Sequence, residues 1–202
     1  MNIIWKGESF FEISVQKDKK ENVNIAIDCY PKTKQSKVKA DILLLSEKDK
    51  FSGSEGDAFL ISSPGEYEVK DVFVKGISQK DGKIIFFIET EDITLCHLGG
   101  FNEKELSLEQ QDAINNVDIL MIPTGGGSLI DSKTAGQIVA QIEPKIVIPM
   151  NYKTGKENLE SVDDFLKVMG DKNGKEVLPK LNIKSKDIPS NEKTKIIILE
   201  CK

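Results

Sequence analysis

Carboxylates, one histidine and a run of glycines are the groups in this 202-residue chain best suited to chemistry. The densest set follows the apolar run Ile42-Leu43-Leu44-Leu45 and reads Ser46-Glu47-Lys48-Asp49-Lys50-Phe51-Ser52-Gly53. Glu47 and Asp49, together with Glu8 and Asp28, are oxygen donors of the kind that hold hard cations such as Mg²⁺, Mn²⁺ or Ca²⁺. Lys48 and Lys50 alternate with them, so a self-neutralising solvated loop is the competing reading. His97 is the single histidine, and one imidazole cannot make a histidine-rich zinc site. Cys96 precedes it, but adjacent strand residues point to opposite faces, which excludes a thiol–base dyad. His97 therefore reads as a packing histidine. Gly125-Gly126-Gly127-Ser128 precedes a helical pattern and would suit a phosphate. It lacks the Gly-Lys-Ser/Thr ending of a P-loop and the spacing of a dinucleotide fingerprint, so a structural turn is favoured over ligand sensing.

The elements that must position these groups change rhythm halfway along. Residues 2–5, 10–16, 23–27, 42–45, 58–61, 66–69, 72–77, 84–88 and 93–96 carry β-branched, aromatic or apolar runs separated by turn signals. A charged turn covers residues 17–22, and Asp81-Gly82 marks a hairpin. From residue 107, strands alternate with helices. Ser107 to Ile114 has Ser107 as N-cap and Gln110 three residues later. Ser132 to Ile142 repeats apolar residues at helical spacing, capped by Asp131 or Ser132. Ser161 to Met169 is amphipathic and stopped by Gly170. Buried strands are expected at 118–122 and 145–149, and closing strands at 183–185 and 195–200. The charged tract 184–195 reads as an exposed loop.

The length suits one domain, residues 1–202. Net charge is −5, acids and lysines are interspersed, and no arginine occurs. With no basic stripe and no guanidinium forks, nucleic acid is not an expected partner. No apolar run approaches membrane-spanning length, so no membrane association is expected. Three cysteines without a C-x-x-C pair, and the lack of a long apolar leader, point to a reduced, cytoplasmic protein. A homo-oligomer and a protein partner both stay open.

Six local motifs occur in one order. They are Ile4-Trp5-Lys6-Gly7-Glu8-Ser9-Phe10, Ile25-Ala26-Ile27-Asp28-Cys29-Tyr30-Pro31, Pro64-Gly65-Glu66-Tyr67-Glu68-Val69, Leu95-Cys96-His97-Leu98-Gly99-Gly100, Asp118-Ile119-Leu120-Met121-Ile122-Pro123-Thr124-Gly125-Gly126 and Ile148-Pro149-Met150-Asn151-Tyr152-Lys153-Thr154. Together with the loop at 41–53, this series resembles the metallo-β-lactamase superfamily, in its small branch of zinc-dependent hydrolases related to ascorbate-lactone hydrolases. The resemblance implies an α/β (α+β) fold, a four-layer αββα sandwich with the site at the strand ends between the sheets.

It also implies a zinc or manganese site whose ligands are replaced here. Glu47, Asp49, Phe51 and Ser52 stand on the His-x-His-x-Asp-His frame, Gly100 stands for the bridging aspartate and Asn151 for the last histidine. No histidine occurs at 78–81, where another ligand is expected. The expectation is a vestigial pocket lined by Glu47, Asp49, Phe51, Ser52, His97, Gly100 and Asn151. Phe51 would fill the vacated space, no metal would be bound, and the chain would act as a non-catalytic binding or assembly module. The alternative is a metal-dependent hydrolase of lactones, esters or phosphodiesters with a carboxylate-rebuilt site.

Overall fold

Some strands of this chain alternate in burial and others are buried on both faces. In Phe11–Gln16, Phe11, Ile13 and Val15 are buried while Glu12 and Gln16 face solvent. In Ile119–Pro123 and Ile146–Met150 every residue is buried. That difference is the signature of half-exposed antiparallel strands against parallel strands covered on both sides. A computed structural model describes residues 1–16, 21–30, 38–171, 177–190 and 193–202. The turn residues 17–20, Pro31 and residues 191–192 of the charged tract fall outside the described residues.

In chain order the strands are β1 (Asn2–Trp5), β2 (Phe11–Gln16), β3 (Asn22–Ile27), β4 (Ile42–Leu44), β5 (Phe59–Ile61), β6 (Gly65–Val69), β7 (Val72–Ser78), β8 (Ile84–Thr90) and β9 (Ile93–His97). Then come α1 (Leu108–Ala113), β10 (Ile119–Pro123), α2 (Ser132–Ile142), β11 (Ile146–Met150), α3 (Val162–Val168), β12 (Val177–Leu178), β13 (Leu181–Asn182), β14 (Lys195–Ile196) and β15 (Ile198–Leu199). One sheet runs β13-β1-β2-β3-β4-β5, the other β14-β11-β10-β9-β8-β7-β6, and β12 pairs with β15 separately. The inner faces meet in a core that includes Trp5, Phe11, Ile27, Leu44, Phe86, Ile119 and Ile148. Each such side chain contributes roughly 1.5–3 kcal/mol on burial.

The helices cover the second sheet. Ile114, Ala135, Ile138, Val139 and Phe165 pack against Ile85, Cys96, Leu120 and Val147. The outer face of the first sheet is thinner: Ala26, Leu43 and Leu45 are covered by Val38, Ala58 and the partly buried Tyr30 and Phe51. A single 3-10 turn, Lys48–Lys50, closes the end of β4. The mixed α/β sandwich expected from the sequence is therefore present, with its helical mass on one side.

Local signals explain most element ends. Ser107 Oγ accepts the Gln110 N–H at 3.2 Å, and Gln110 Oε1 accepts the Ser107 N–H at 2.9 Å. Asp131, rather than Ser132, caps α2, accepting from the Thr134 N–H at 2.8 Å. The turns Lys70-Asp71 and Glu91-Asp92 adopt positive φ without glycine, a geometry the sequence did not announce. The closing strands are shorter and shifted: 183–185 leads into a 3-10 turn (Ser185–Asp187), while Leu181–Asn182 pairs with β1.

β3, β4 and β5 pair in parallel, as do β9, β10 and β11. Parallel pairing gathers the segments after their carboxyl ends at one rim: Asp28, Ser46-Glu47, Leu98–Gly100, Thr124–Gly126 and Asn151. Open sheets bind ligands at such rims.

Candidate active site

A cavity of about 240 Å³ opens at this rim, lined by Glu8, Tyr30, Glu47, Lys50, Gly100, Asn151 and Glu157 among others. Glu47 is its best-held carboxylate. Its N–H donates to the Tyr30 hydroxyl oxygen at 3.1 Å, and its Oε1 accepts from Lys50 Nζ at 2.8 Å. A Cβ built on Gly100 would lie 2.5 Å from that same Oε1. The Glu47 carboxylate thus occupies the space where a side chain at position 100 would begin. The Gly100 carbonyl in turn accepts from Lys83 Nζ at 3.0 Å, and Lys83 pairs with Asp81 at 2.6 Å.

Asp28 holds the loop from behind. It is buried; Oδ1 accepts the Ser46 N–H at 2.7 Å and the Tyr30 hydroxyl at 3.0 Å, and Oδ2 accepts the Ser46 hydroxyl at 2.7 Å. Burial, and next the Asp28 charge, push the Tyr30 hydroxyl far above the ordinary tyrosine range, so it stays protonated as a donor. On the opposite wall the Asn151 N–H donates to the Glu8 carbonyl at 3.3 Å, and Trp5 Nε1 donates to the same oxygen at 2.9 Å. Glu8, Asp28 and Asn151 all have positive φ, a strained backbone that clusters at functional rims. The Asn151 side-chain oxygen is buried with no hydrogen-bond partner among the described residues. Glycine is required at 125, because a Cβ there would run into the Asn151 backbone carbonyl.

The structure divides the expected pocket residues. Glu47, Gly100 and Asn151 line the cavity; Asp49, Phe51, Ser52 and His97 are not among its lining residues. Asp49 lies exposed on the 3-10 turn. Phe51 packs with Leu43 and Leu45 on the outer face of the first sheet, so it does not fill the cavity. His97 is fully buried: Nε2 donates to the Ser9 carbonyl at 2.9 Å and Nδ1 accepts the Gly99 N–H at 3.1 Å. Burial lowers its pKa, with Asp28 opposing, and the two bonds define a neutral tautomer. Glu157, Lys50 and Tyr30 line the pocket without having been singled out; adjacency to the rim motifs was their only signal.

The Gly125–Ser128 segment is a closed turn, with the Gly126 N–H on the Ile130 carbonyl at 3.0 Å and the Leu129 N–H on the Gly126 carbonyl at 3.2 Å. Glu160 and Asp131 already accept from the Ser132 and Thr134 N–H groups at the start of α2, placing carboxylates where a phosphate would have to bind.

The donor set does not fit the zinc or manganese that the fold implies. Among the described residues no three His, Cys, Asp or Glu side chains come together closely enough to hold a metal ion. Asp28 is spent on Ser46 and Tyr30.

The sandwich and its rim pocket define a class, and comparison with known proteins agrees. The beta-lactamase superfamily domain matches residues 2–151, and the chain belongs to that superfamily. It is 27% identical over 121 residues to a UPF0173 metal-dependent hydrolase of Pyrococcus horikoshii, covering 54% of this chain and 52% of that one. A second such hydrolase, from Pyrococcus abyssi, is 29% identical over 137 residues, 61% of this chain and 58% of its own. The chain thus spans little more than half the length of these two curated relatives. A solved structure from Thermotoga maritima, a candidate Zn-dependent hydrolase of the metallo-β-lactamase superfamily, superposes with a TM-score of 0.79. Its identity is 29%, over 98% of both chains.

These relatives overturn the expectation of an inert, non-catalytic module. Missing imidazoles were equated with a missing site, whereas the relatives are metal-dependent hydrolases and the rim cavity here is open. Among the described residues no helix is long and apolar enough to cross a membrane.

Proposed function

We propose that the chain is a hydrolase acting at the rim cavity, with carboxylates in place of the usual imidazoles, on a lactone, ester or phosphodiester. The observation that carries this is the Glu47 carboxylate, which borders an open cavity over the bare Gly100 backbone. For a carboxyl ester, a water adds to the carbonyl carbon as Glu47 takes its proton, and the bond to the leaving oxygen breaks as that proton is returned to it. The Lys50 ammonium, 2.8 Å from Glu47, balances the carboxylate and lies near charge developing on the substrate oxygen. Tyr30 and Asp28 keep the Glu47 backbone in place. Because the described donors form no metal-ligand group, no step is routed through a metal ion. Cys29, Cys96 and Cys201 are free thiols, which supports a reducing compartment such as the cytoplasm.

The test is hydrolysis of a lactone, a carboxyl ester and a phosphodiester by wild type and Glu47→Gln, each with EDTA and with added Mn²⁺ or Zn²⁺. At least one class should be turned over, and Glu47→Gln should lower kcat by about 10²-fold or more. Full activity in Glu47→Gln, or no turnover of any class under any metal condition, overturns the reading.

A further inference from the structure

A largely buried cation stands behind the cavity wall, and no step of the hydrolysis uses it. The Lys83 side chain is 18% exposed, against 60% for Lys50. Lysine is seldom well buried unless paired, and Lys83 is paired twice. Its Nζ donates to the Gly100 carbonyl at 3.0 Å and meets Asp81 Oδ2 at 2.6 Å. Asp81 is itself held in place: Oδ1 accepts the Lys83 N–H at 3.2 Å, and Oδ2 accepts from Asn102 Nδ2 at 3.1 Å. Partial burial pushes the Asp81 carboxyl pKa up, but the bonds from Lys83 outweigh it and hold the group below the usual carboxylate range. Lys83 belongs to the tip of the β7–β8 hairpin, closed by the Gln79 N–H on the Lys83 carbonyl at 2.8 Å. The same tip grips both segments that form the wall. The Ile84 N–H donates to the Ser46 carbonyl at 3.1 Å, and Gln79 Nε2 donates to the Leu98 carbonyl at 3.1 Å. A Cβ built on Gly100 would lie 2.5 Å from Glu47 Oε1 and 3.3 Å from Lys83 Cδ. The Glu47 carboxylate and the Lys83 stem therefore crowd the same bare point of the Gly100 backbone.

We propose that Lys83 is a positioning residue of the rim site: its ammonium pins the Gly100 carbonyl and so fixes the Glu47 carboxylate at the cavity wall. Its effect on turnover rests on the hydrolase reading; its effect on the wall does not. Lys83 is not among the cavity's lining residues, so it acts through Gly100 and Glu47 and not on the substrate. A hydrogen bond from a charged donor is shorter and stronger than a neutral one, which suits a pin on a turn that has no side chain to anchor it. The requirement is strict, because a catalytic group displaced by about 1 Å loses about 10²-fold in rate. Methionine at position 83 would keep the packing of the stem and lose the pin. Arginine would keep a charged donor.

Lys83→Met, Lys83→Arg and Asp81→Asn are compared with wild type on a lactone, a carboxyl ester and a phosphodiester, each assayed well below its unfolding midpoint. Lys83→Met should lower kcat about 10-fold with KM within about twofold of wild type. Lys83→Arg should recover most of that loss, and Asp81→Asn should lose about threefold as Lys83 is freed to turn. Backbone amide signals of Glu47, Gly99 and Gly100 in ¹⁵N-labelled protein read the wall without turnover. They should shift in Lys83→Met and return toward their wild-type positions in Lys83→Arg, while those of β13 stay. An unchanged kcat in Lys83→Met, a loss carried by KM, or equal losses in Lys83→Met and Lys83→Arg overturns the positioning role and leaves the hydrolase reading standing. If wild type turns over none of the three substrates, the hydrolase reading falls and the amide signals decide. Shifts recovered by arginine uphold the pin, and unchanged signals overturn it. Should Lys83→Met fail to fold, Asp81→Asn carries the test: a lowered kcat or the same amide shifts support the pin, and wild-type behaviour in both overturns it.

Discussion

Two carboxylates stand side by side where β3 and β4 end, and they do opposite work. Asp28 is buried and its oxygens accept three hydrogen bonds, from the Ser46 N–H, the Ser46 hydroxyl and Tyr30. Glu47, at the head of the following loop, is held by its backbone, while its carboxylate accepts from the exposed Lys50 and borders the cavity. A saturated buried carboxylate stabilises a loop; one with spare lone pairs at a cavity wall is available for chemistry. The type of residue is nearly the same at both positions, and the surroundings decide the role.

The sharpest way to break this contrast is to neutralise each carboxylate. Glu47→Gln should lose about 10²-fold or more in kcat on whichever ester is hydrolysed, with an unfolding free energy within about 1 kcal/mol of wild type, since its ion pair is with an exposed lysine. Asp28→Ala should do the reverse in stability. It strands the Ser46 N–H and two hydroxyls in the core and should cost about 3 kcal/mol, read as a lower urea midpoint. If the two variants lose stability equally, the division of labour between them fails.

Two glycines extend the comparison. Gly125→Ala drives a methyl group into the Asn151 backbone, which cannot step aside, and should cost about 1–3 kcal/mol in chemical denaturation. Gly100→Ala meets the movable end of Glu47 and the Cδ of the Lys83 side chain, and no backbone. Its stability should change by about 0.5 kcal/mol or less, while ester hydrolysis falls severalfold as Glu47 is displaced.

A further effect is expected in pH dependence, and it comes from His97. Its folded-state pKa is lowered by burial, so the unfolded chain binds this proton more readily than the native one. Stability from the neutral ring is complete above about pH 6.5 and is lost as pH falls below it, at up to about 1.4 kcal/mol per pH unit. Denaturation at neutral and mildly acidic pH should show this slope in wild type and not in His97→Gln. Protonation would set a new Nδ1–H against the Gly99 N–H that now donates to it.

The sandwich was legible because its signals are repetitive: β2 alternates, β10 and β11 are continuously apolar, and α2 repeats Ala135, Ile138 and Val139 at helical spacing. The β12 and β13 pairs were not, since two-residue strands carry too little pattern. The turns at Lys70-Asp71 and Glu91-Asp92 were equally silent, because the pairing of their hairpins, and not glycine, holds the positive φ. At the site, Glu47, Gly100 and Asn151 line the rim cavity. Phe51, Asp49 and Ser52 do not, because linear spacing says nothing about which way a loop residue turns after its strand ends, and His97, the last residue of β9, is held in the core by Ser9 and Gly99.

The sequence by itself determined the ancestry, the layered fold and the absence of a histidine-rich zinc site, since these depend on residue identity and local periodicity. Only the tertiary structure decided that the cavity stays open, that Glu47 lies over Gly100 and that Asp28 is consumed in holding Ser46. Those outcomes depend on distances between strand ends brought together by parallel pairing, and residues far apart in sequence fix them jointly.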